Sequence, residues 1–338
     1  MNILNMDVIG EYVQVKKMLI ICMLLVLQSK PGTTNVNVTL PQVQSSSLWS
    51  IWWNYDGISG PTMWGSMNGE WFMCSKGKNQ SPIDIEPQIL LFDPTLKHIE
   101  IEGDLMTGTL INNGVDLTFE ANETSIYAPV NLTLGPLSYK YTVSQIKIHF
   151  GSWDGVGSEH SVNGESFDGE VHIIAYNADV YNNLSHAQKA PRGVAIIAAF
   201  LQVGNYKNEN FDVISELSKL VLYKGQRARL KHFSLLSFLP NRENYITYEG
   251  SFTQPGCYET VTWMILNRPI GVSHEQLEVL RNLRQRDIHH PQSFMADNRR
   301  PLMPLNRRTV RTNINFKRGC SMEQDMHYQL NSKLRVKK

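Results

Sequence analysis

The sequence predicts a mostly β single domain with a few peripheral helices. Three observations carry that expectation. Short alternating or β-branched runs bounded by Gly, Asn, Asp and Pro dominate from about residue 48 to 265, only two segments show helical spacing, and no internal repeat divides the chain. The 338 residues, 42% of them hydrophobic, are enough for one large core. Lys and Arg number 32 against 31 Asp and Glu, a formal net charge of +1, so global charge asks for neither nucleic acid nor an anionic surface.

At the N-terminus, Lys16 and Lys17 precede the apolar run Met18 to Leu27, followed by Gln28, Ser29, Lys30 and Pro31. A spanning helix takes about 20 apolar residues. The shorter run therefore reads as the h-region of a signal peptide over residues 1–29, with Met18 as an alternative start and no stable membrane span. An anchor or a buried strand is the competing reading. Residues 30–47, rich in Thr, Asn, Ser and Gln, read as a linker, 48–317 as the folded domain and the basic 318–338 as a flexible tail. Sequons at Asn37, Asn122, Asn131 and Asn183 agree with a secretory route and are glycosylation candidates. If Cys22 leaves with the signal, Cys74, Cys257 and Cys320 remain. An oxidising compartment favours one disulfide with an odd thiol, and the residues alone do not say which two join.

Along the domain, strands are expected at HIEIEG (98–103), TGTLINNG (107–114), QIKIHFG (145–151), EVHIIAYN (170–177) and GVAIIAAFLQVG (193–204). Helices are expected at FDVISELSKLVLY (211–223), with Val213, Leu217 and Leu220 at helical spacing, and at SHEQLEVLRNL (273–283). The second opens with Ser273 and carries Gln276 at the third helical position, a capping box in which each side chain satisfies an orphan backbone donor.

Side chains alternate between the faces of a strand, so Ile146, Ile148 and Phe150 point one way and Gln145, Lys147 and His149 the other. In the second strand Glu170, His172 and Ile174 share one face, Val171 and Ile173 the opposite one. Pairing through the two polar rows would bring His149 to His172. Either row alone reads as a solvated strand face; two histidines with Glu and Gln beside them point to a present or former metal site.

The stretch SEHSVNGESFDGEVHII (158–174) resembles the signature of the α-carbonic anhydrases. WWNYDGISGPTMWG (52–65), KNQSPIDI (78–85), YITYEGSFTQPGCYETVTW (245–263) and DNRRPLMPLNRRTV (297–310) extend the resemblance over nearly the whole domain. It implies one domain with a large, twisted, mainly antiparallel central sheet and a conical cleft on that sheet. It also implies a catalytic zinc held by three histidines and a water, at positions that fall here on Lys147, His149 and His172. The first ligand is replaced. Deprotonating a lysine of pKa ~10.4 at pH 7.4 costs roughly 4 kcal/mol. Without the metal, the depression of the water pKa from 15.7 to about 7 is lost.

The resemblance further assigns Glu159 and Thr253 to orienting a zinc-bound hydroxide and Gln145 and Glu170 to supporting the ligands. The proton-shuttle position falls on Val115, which cannot relay a proton, and a CO₂ pocket would be lined by Ile174, Ile196, Phe252, Val261 and Trp263. It places a disulfide between Cys74 and Cys257, leaving Cys320 unpaired in the tail. The motifs HFGS, VGSEH and RTNINF (311–316) resemble the X/XI-like subgroup of carbonic anhydrase-related proteins, secreted members that lack ligand histidines. The expectation is therefore a secreted, catalytically inactive binding module, with no cofactor, zinc bound weakly if at all, and Lys147 paired with spare carboxylates. Its partner would be an extracellular or cell-surface protein, neurexin-like by resemblance only. The alternative is an active or weakly active zinc carbonate dehydratase, a lyase hydrating CO₂ reversibly, that uses His149 and His172.

Overall fold

The structure, a computed structural model, describes residues 53–122, 125–290 and 293–315; the expected signal peptide, linker and tail, with Cys22, Asn37 and Cys320, lie outside the described residues. The strands are β1 (Asp84–Ile85), β2 (Leu91–Phe92), β3 (Ile99–Glu102), β4 (Leu105–Asn112), β5 (Leu117–Ala121), β6 (Asn131–Leu134), β7 (Tyr141–Phe150) and β8 (Ser161–Val162). They continue as β9 (Gly169–Asn177), β10 (Val194–Gly204), β11 (Arg227–Ser234), β12 (Tyr245–Gly250), β13 (Val261–Leu266), β14 (Ile270–Ser273) and β15 (Arg311–Thr312).

Among the described residues thirteen strands form one sheet, ordered β11-β4-β5-β7-β9-β10-β13-β12-β15-β2, with β14 beside β10 and β6 and then β3 continuing from β7. Most pairings are antiparallel; β10 runs parallel to β13 and β14, and β15 parallel to β2. The expected strands all form, each within a few residues of its expected bounds.

Register decides which residues meet. One cross-strand row runs Arg227, Ile111, Thr118, Lys147, His172, Ala198. The next runs Arg229, Thr109, Glu120, Gln145, Ile174, Ile196, Trp263, Tyr248. Directly opposed residues share a face, so both rows lie on one side of the sheet. The other side holds Ile146, Ile148, Phe150, Val171 and Ile173 in the larger core cluster, as the alternation predicts. Each such buried side chain contributes about 1.5–3 kcal/mol.

The two longest helices cover that core: α1 (Glu209–Ser218) and α2 (His274–Arg281). In α2 the capping box forms as expected: Ser273 Oγ accepts from Gln276 N at 3.3 Å, and Gln276 Oε1 accepts from Ser273 N at 3.0 Å. Helix α1 differs from its expectation. Asn208 caps it, accepting from the amides of Asn210 and Phe211, and it buries Phe211, Ile214 and Ser218, while Val213 and Leu220 are exposed. It ends at Ser218, where Leu220 N and Val221 N donate to the carbonyls of Leu217 and Ser218 at 3.0 and 3.1 Å in a tightened turn; beyond it the buried Asn112 side chain donates to the carbonyls of Val221 and Leu222 at 3.0 and 3.1 Å. Among the described residues no helix is long and apolar enough to cross a membrane.

Cys74 and Cys257 form a disulfide. It sits in a small cluster with Tyr55, Trp64 and Trp71, against which Val115 packs.

Candidate metal centre

Adjacent strands β7 and β9 set Lys147 opposite His172 and His149 opposite Glu170. The rings of His149 and His172 are 4.5 Å apart between centroids, and both residues are buried. The histidine pairing read from the two polar rows is thus realised.

The closing motif fixes His149. Asn298 accepts from Phe150 N through Oδ1 and donates to Ile148 O through Nδ2, both at 2.9 Å, which places its own carbonyl 2.6 Å from His149 Nδ1. A carbonyl can only accept, so Nδ1 carries the proton and, in the neutral ring, Nε2 carries a lone pair. Nε2 is buried without a hydrogen-bond partner. Two residues on, Arg300 N donates to Glu159 Oε1 at 2.8 Å, while its guanidinium holds Gln80 Oε1 and the carbonyls of Ser81 and Cys74.

Glu170 is held ionised. Burial pushes its pKa up, but His160 and His172 outweigh that and keep it well below the usual carboxylate range. It accepts from His160 N at 2.8 Å and lies 2.7 Å from His160 Nδ1 and 2.8 Å from His172 Nε2. The proton of His172 therefore sits on Nε2, leaving the Nδ1 lone pair 3.9 Å from Glu159 Oε2. Burial, then the neighbouring His149, lowers the His172 pKa against the opposing pull of Glu170, which favours the neutral ring. Glu159 Oε2 lies 3.8 Å from His149 Nε2 and is itself buried without a partner.

Three acceptors, His149 Nε2, His172 Nδ1 and Glu159 Oε2, thus face one another in a buried space with no protein donor among them. A cation, a proton or a water O–H is needed to complete such an arrangement. The donor set suits a divalent cation held by two imidazoles and a carboxylate. It does not reproduce three neutral imidazoles.

The missing imidazole is Lys147, and its ammonium is engaged elsewhere. Nζ donates to Asp116 Oδ2 at 3.2 Å and to Gln254 Oε1 at 2.5 Å. Asp116 is fully buried and also accepts from Thr118 Oγ1, Gln254 Nε2 and Asn113 Nδ2. Burial pushes the Asp116 pKa up, but the Lys147 charge and the Thr118 hydroxyl outweigh it and hold it below the ordinary value. The carboxylate that Lys147 takes is neither Glu159 nor Glu170 but Asp116 on β5's approach, because the row sets Thr118 beside it and Asp116 lies two residues before Thr118.

The other expected positions fall as follows. Ile174, Ile196, Val261 and Trp263 are buried together on the site face with Phe252 packed against them. Trp263 presents itself edgewise to His172 at 4.9 Å and to His160 at 4.8 Å. Gln145 stands on the site face, one row from Lys147, and among the described residues makes no side-chain hydrogen bond to it. Thr253 is buried and, among the described residues, makes no hydrogen bond to Glu159. Of the sequons, Asn183 caps the short helix Leu184–Ala187 and Asn131 accepts from Thr142 Oγ1 at 2.7 Å. Asn122 is exposed, and Thr124 of its sequon lies outside the described residues.

Reading the sequence missed Asp116, Gln254 and His160. Counting back two residues from Thr118 along the same face would have found Asp116; Gln254 and His160 flank Thr253 and Glu159 in the motifs already singled out.

Comparison with known proteins agrees with this geometry. The family model for eukaryotic-type carbonic anhydrase matches residues 59–314. A Caenorhabditis elegans protein named "Putative carbonic anhydrase-like protein 2" is 38% identical over 265 residues, covering 77% of this chain and 79% of that protein.

Proposed function

Because this chain belongs to the eukaryotic-type carbonic anhydrase family, we propose that it is a secreted carbonic anhydrase-related protein that has given up CO₂ hydration and serves as an extracellular binding module. The observation that carries this reading is the commitment of Lys147 Nζ to Asp116 and Gln254 at the position of the family's first zinc ligand.

Zinc bound by three neutral ligands would supply a water of pKa about 7. Here His149 and His172 would hold a cation with Glu159 as third donor. An anionic donor in place of a neutral one leaves the metal less able to acidify water, and Val115 offers no group to carry the proton away. Both weaken hydration. The Cys74–Cys257 disulfide supports an oxidising compartment.

Metal analysis and CO₂-hydration kinetics on the purified secreted protein test the reading. Substoichiometric zinc and turnover no faster than buffer are expected. Stoichiometric zinc with acetazolamide-sensitive turnover would establish the carbonate dehydratase alternative in its place.

A further inference from the structure

The chain as a whole is nearly neutral, yet its cations are not evenly spread. Between Glu216 and Glu243 there is no acidic residue, while Lys219, Lys224, Arg227, Arg229, Lys231 and Arg242 all fall there. Lys224, Arg227, Arg229 and Lys231 are packed into eight residues, KGQRARLK, a density associated with polyanion-binding patches.

The fold gives this run a shape. Among the described residues β11 is the terminal strand of the sheet and pairs with β4 alone. Arg227, Arg229 and Lys231 are exposed and alternate with the buried Ala228 and Leu230. Residues two apart in a strand are about 7 Å apart, which spaces Arg227 and Arg229 along the edge, and Lys231 continues the row where the register shifts between Leu230 and Phe233. Lys224, exposed in the turn leading into β11, donates its backbone N–H to Arg286 O at 3.1 Å, and this brings a fifth exposed cation alongside. Among the described residues none of the five has a carboxylate within ion-pairing distance; the nearby Asp287 is taken by His290 at 3.1 Å, and Glu120 stands two strands in from Arg229.

Charges on an edge strand commonly guard against strand addition. That role accounts for Arg227, Arg229 and Lys231. It does not account for Lys224 and Arg286 beside them, nor for the absence, among the described residues, of a carboxylate within ion-pairing distance of any of the five.

We propose that Lys224, Arg227, Arg229, Lys231 and Arg286 form a binding surface for a linear sulfated polysaccharide. A rod-like polyanion with repeating charges matches a line of cations along an edge strand. Between Arg227, Arg229 and Lys231 lie the buried aliphatics Ala228 and Leu230, and the exposed His232 ring that follows is tied to Tyr127 Oη at 2.6 Å, so the line of cations is not interleaved with aromatic rings on which successive nucleobases would stack. The choice of polysaccharide rests on the extracellular reading; the site itself stands apart from the metal centre, and its test reads neither zinc nor turnover.

The test is binding of the full secreted chain to immobilised heparin across a salt series. Retention at about 0.15 M salt is expected, and Arg227→Gln/Arg229→Gln/Lys231→Gln should weaken it about tenfold or more and lower the salt slope by two to three. Lys224→Gln/Arg286→Gln, which leaves β11 intact, should give a smaller loss and decides the matter if the triple variant does not fold. Lys333→Gln/Arg335→Gln/Lys337→Gln/Lys338→Gln should retain most of the affinity. The proposal is overturned if wild type is not retained, if both patch variants bind unchanged, if only the tail variant loses binding, or if single-stranded poly-dT or polyglutamate binds as tightly as heparin. Failure on any of these counts would leave the CO₂-hydration result untouched.

Discussion

Lys147 donates to Asp116 Oδ2 across 3.2 Å, joining a lysine 13% exposed to a carboxylate wholly withdrawn from solvent. An ion pair this deep is costly to leave half-made, since the surviving charge has no water to turn to.

Asp116→Asn should therefore destabilise the domain by about 3 kcal/mol, measured by denaturant unfolding. Adding Lys147→Met should recover part of the loss by removing the stranded charge. A single variant as stable as wild type would mean that the pair contributes nothing.

The same carboxylate gives a pH signature. Its folded pKa lies below the ordinary value of about 3.9, so its contribution is fully present above about pH 4 and is lost as pH falls through the folded value. Unfolding free energy followed from pH 7 down to 2 should fall more steeply below pH 4 for wild type than for Asp116→Asn. Parallel curves would contradict the assignment.

Restoring the imidazole is the converse experiment. Lys147→His should take up about one zinc per chain, read by metal analysis after dialysis, because His149 Nε2 and His172 Nδ1 already present their lone pairs. Turnover should stay slow, and adding Val115→His should raise it, by about a hundredfold at most. A Lys147→His protein without zinc would show that the site is misplaced.

The disulfide can be tested separately. Cys257 sits at a φ of +45°, a left-handed conformation unusual outside glycine, at the end of the loop that carries Thr253 and Gln254. Cys74→Ser/Cys257→Ser should cost about 2–5 kcal/mol, and reductant should then shift the unfolding midpoint of wild type but not of the variant.

How far the sequence could be read follows from how local each relationship is. Strand faces, the meeting of His149 with His172 and the capping box of α2 each depend on a period or a spacing of a few residues, and all were legible. The buried face of α1 was not: the helix stops at Ser218, and the chain that follows it is held by Asn112, over a hundred residues away. Lys147's partners lie 31 and 107 positions distant, and no pattern internal to β7 names them. The parallel partnership of β10 with β13 is equally silent, since both strands are buried on both faces and read as unbroken apolar runs.

The main core lies on the side of the sheet opposite His149 and His172. The two faces carry different burdens: the larger cluster behind the sheet is held by apolar packing, while on the site face the buried polar groups are set beside a second apolar cluster that includes Ile174, Ile196 and Trp263, so a substitution there is felt both in what is bound and in what is packed.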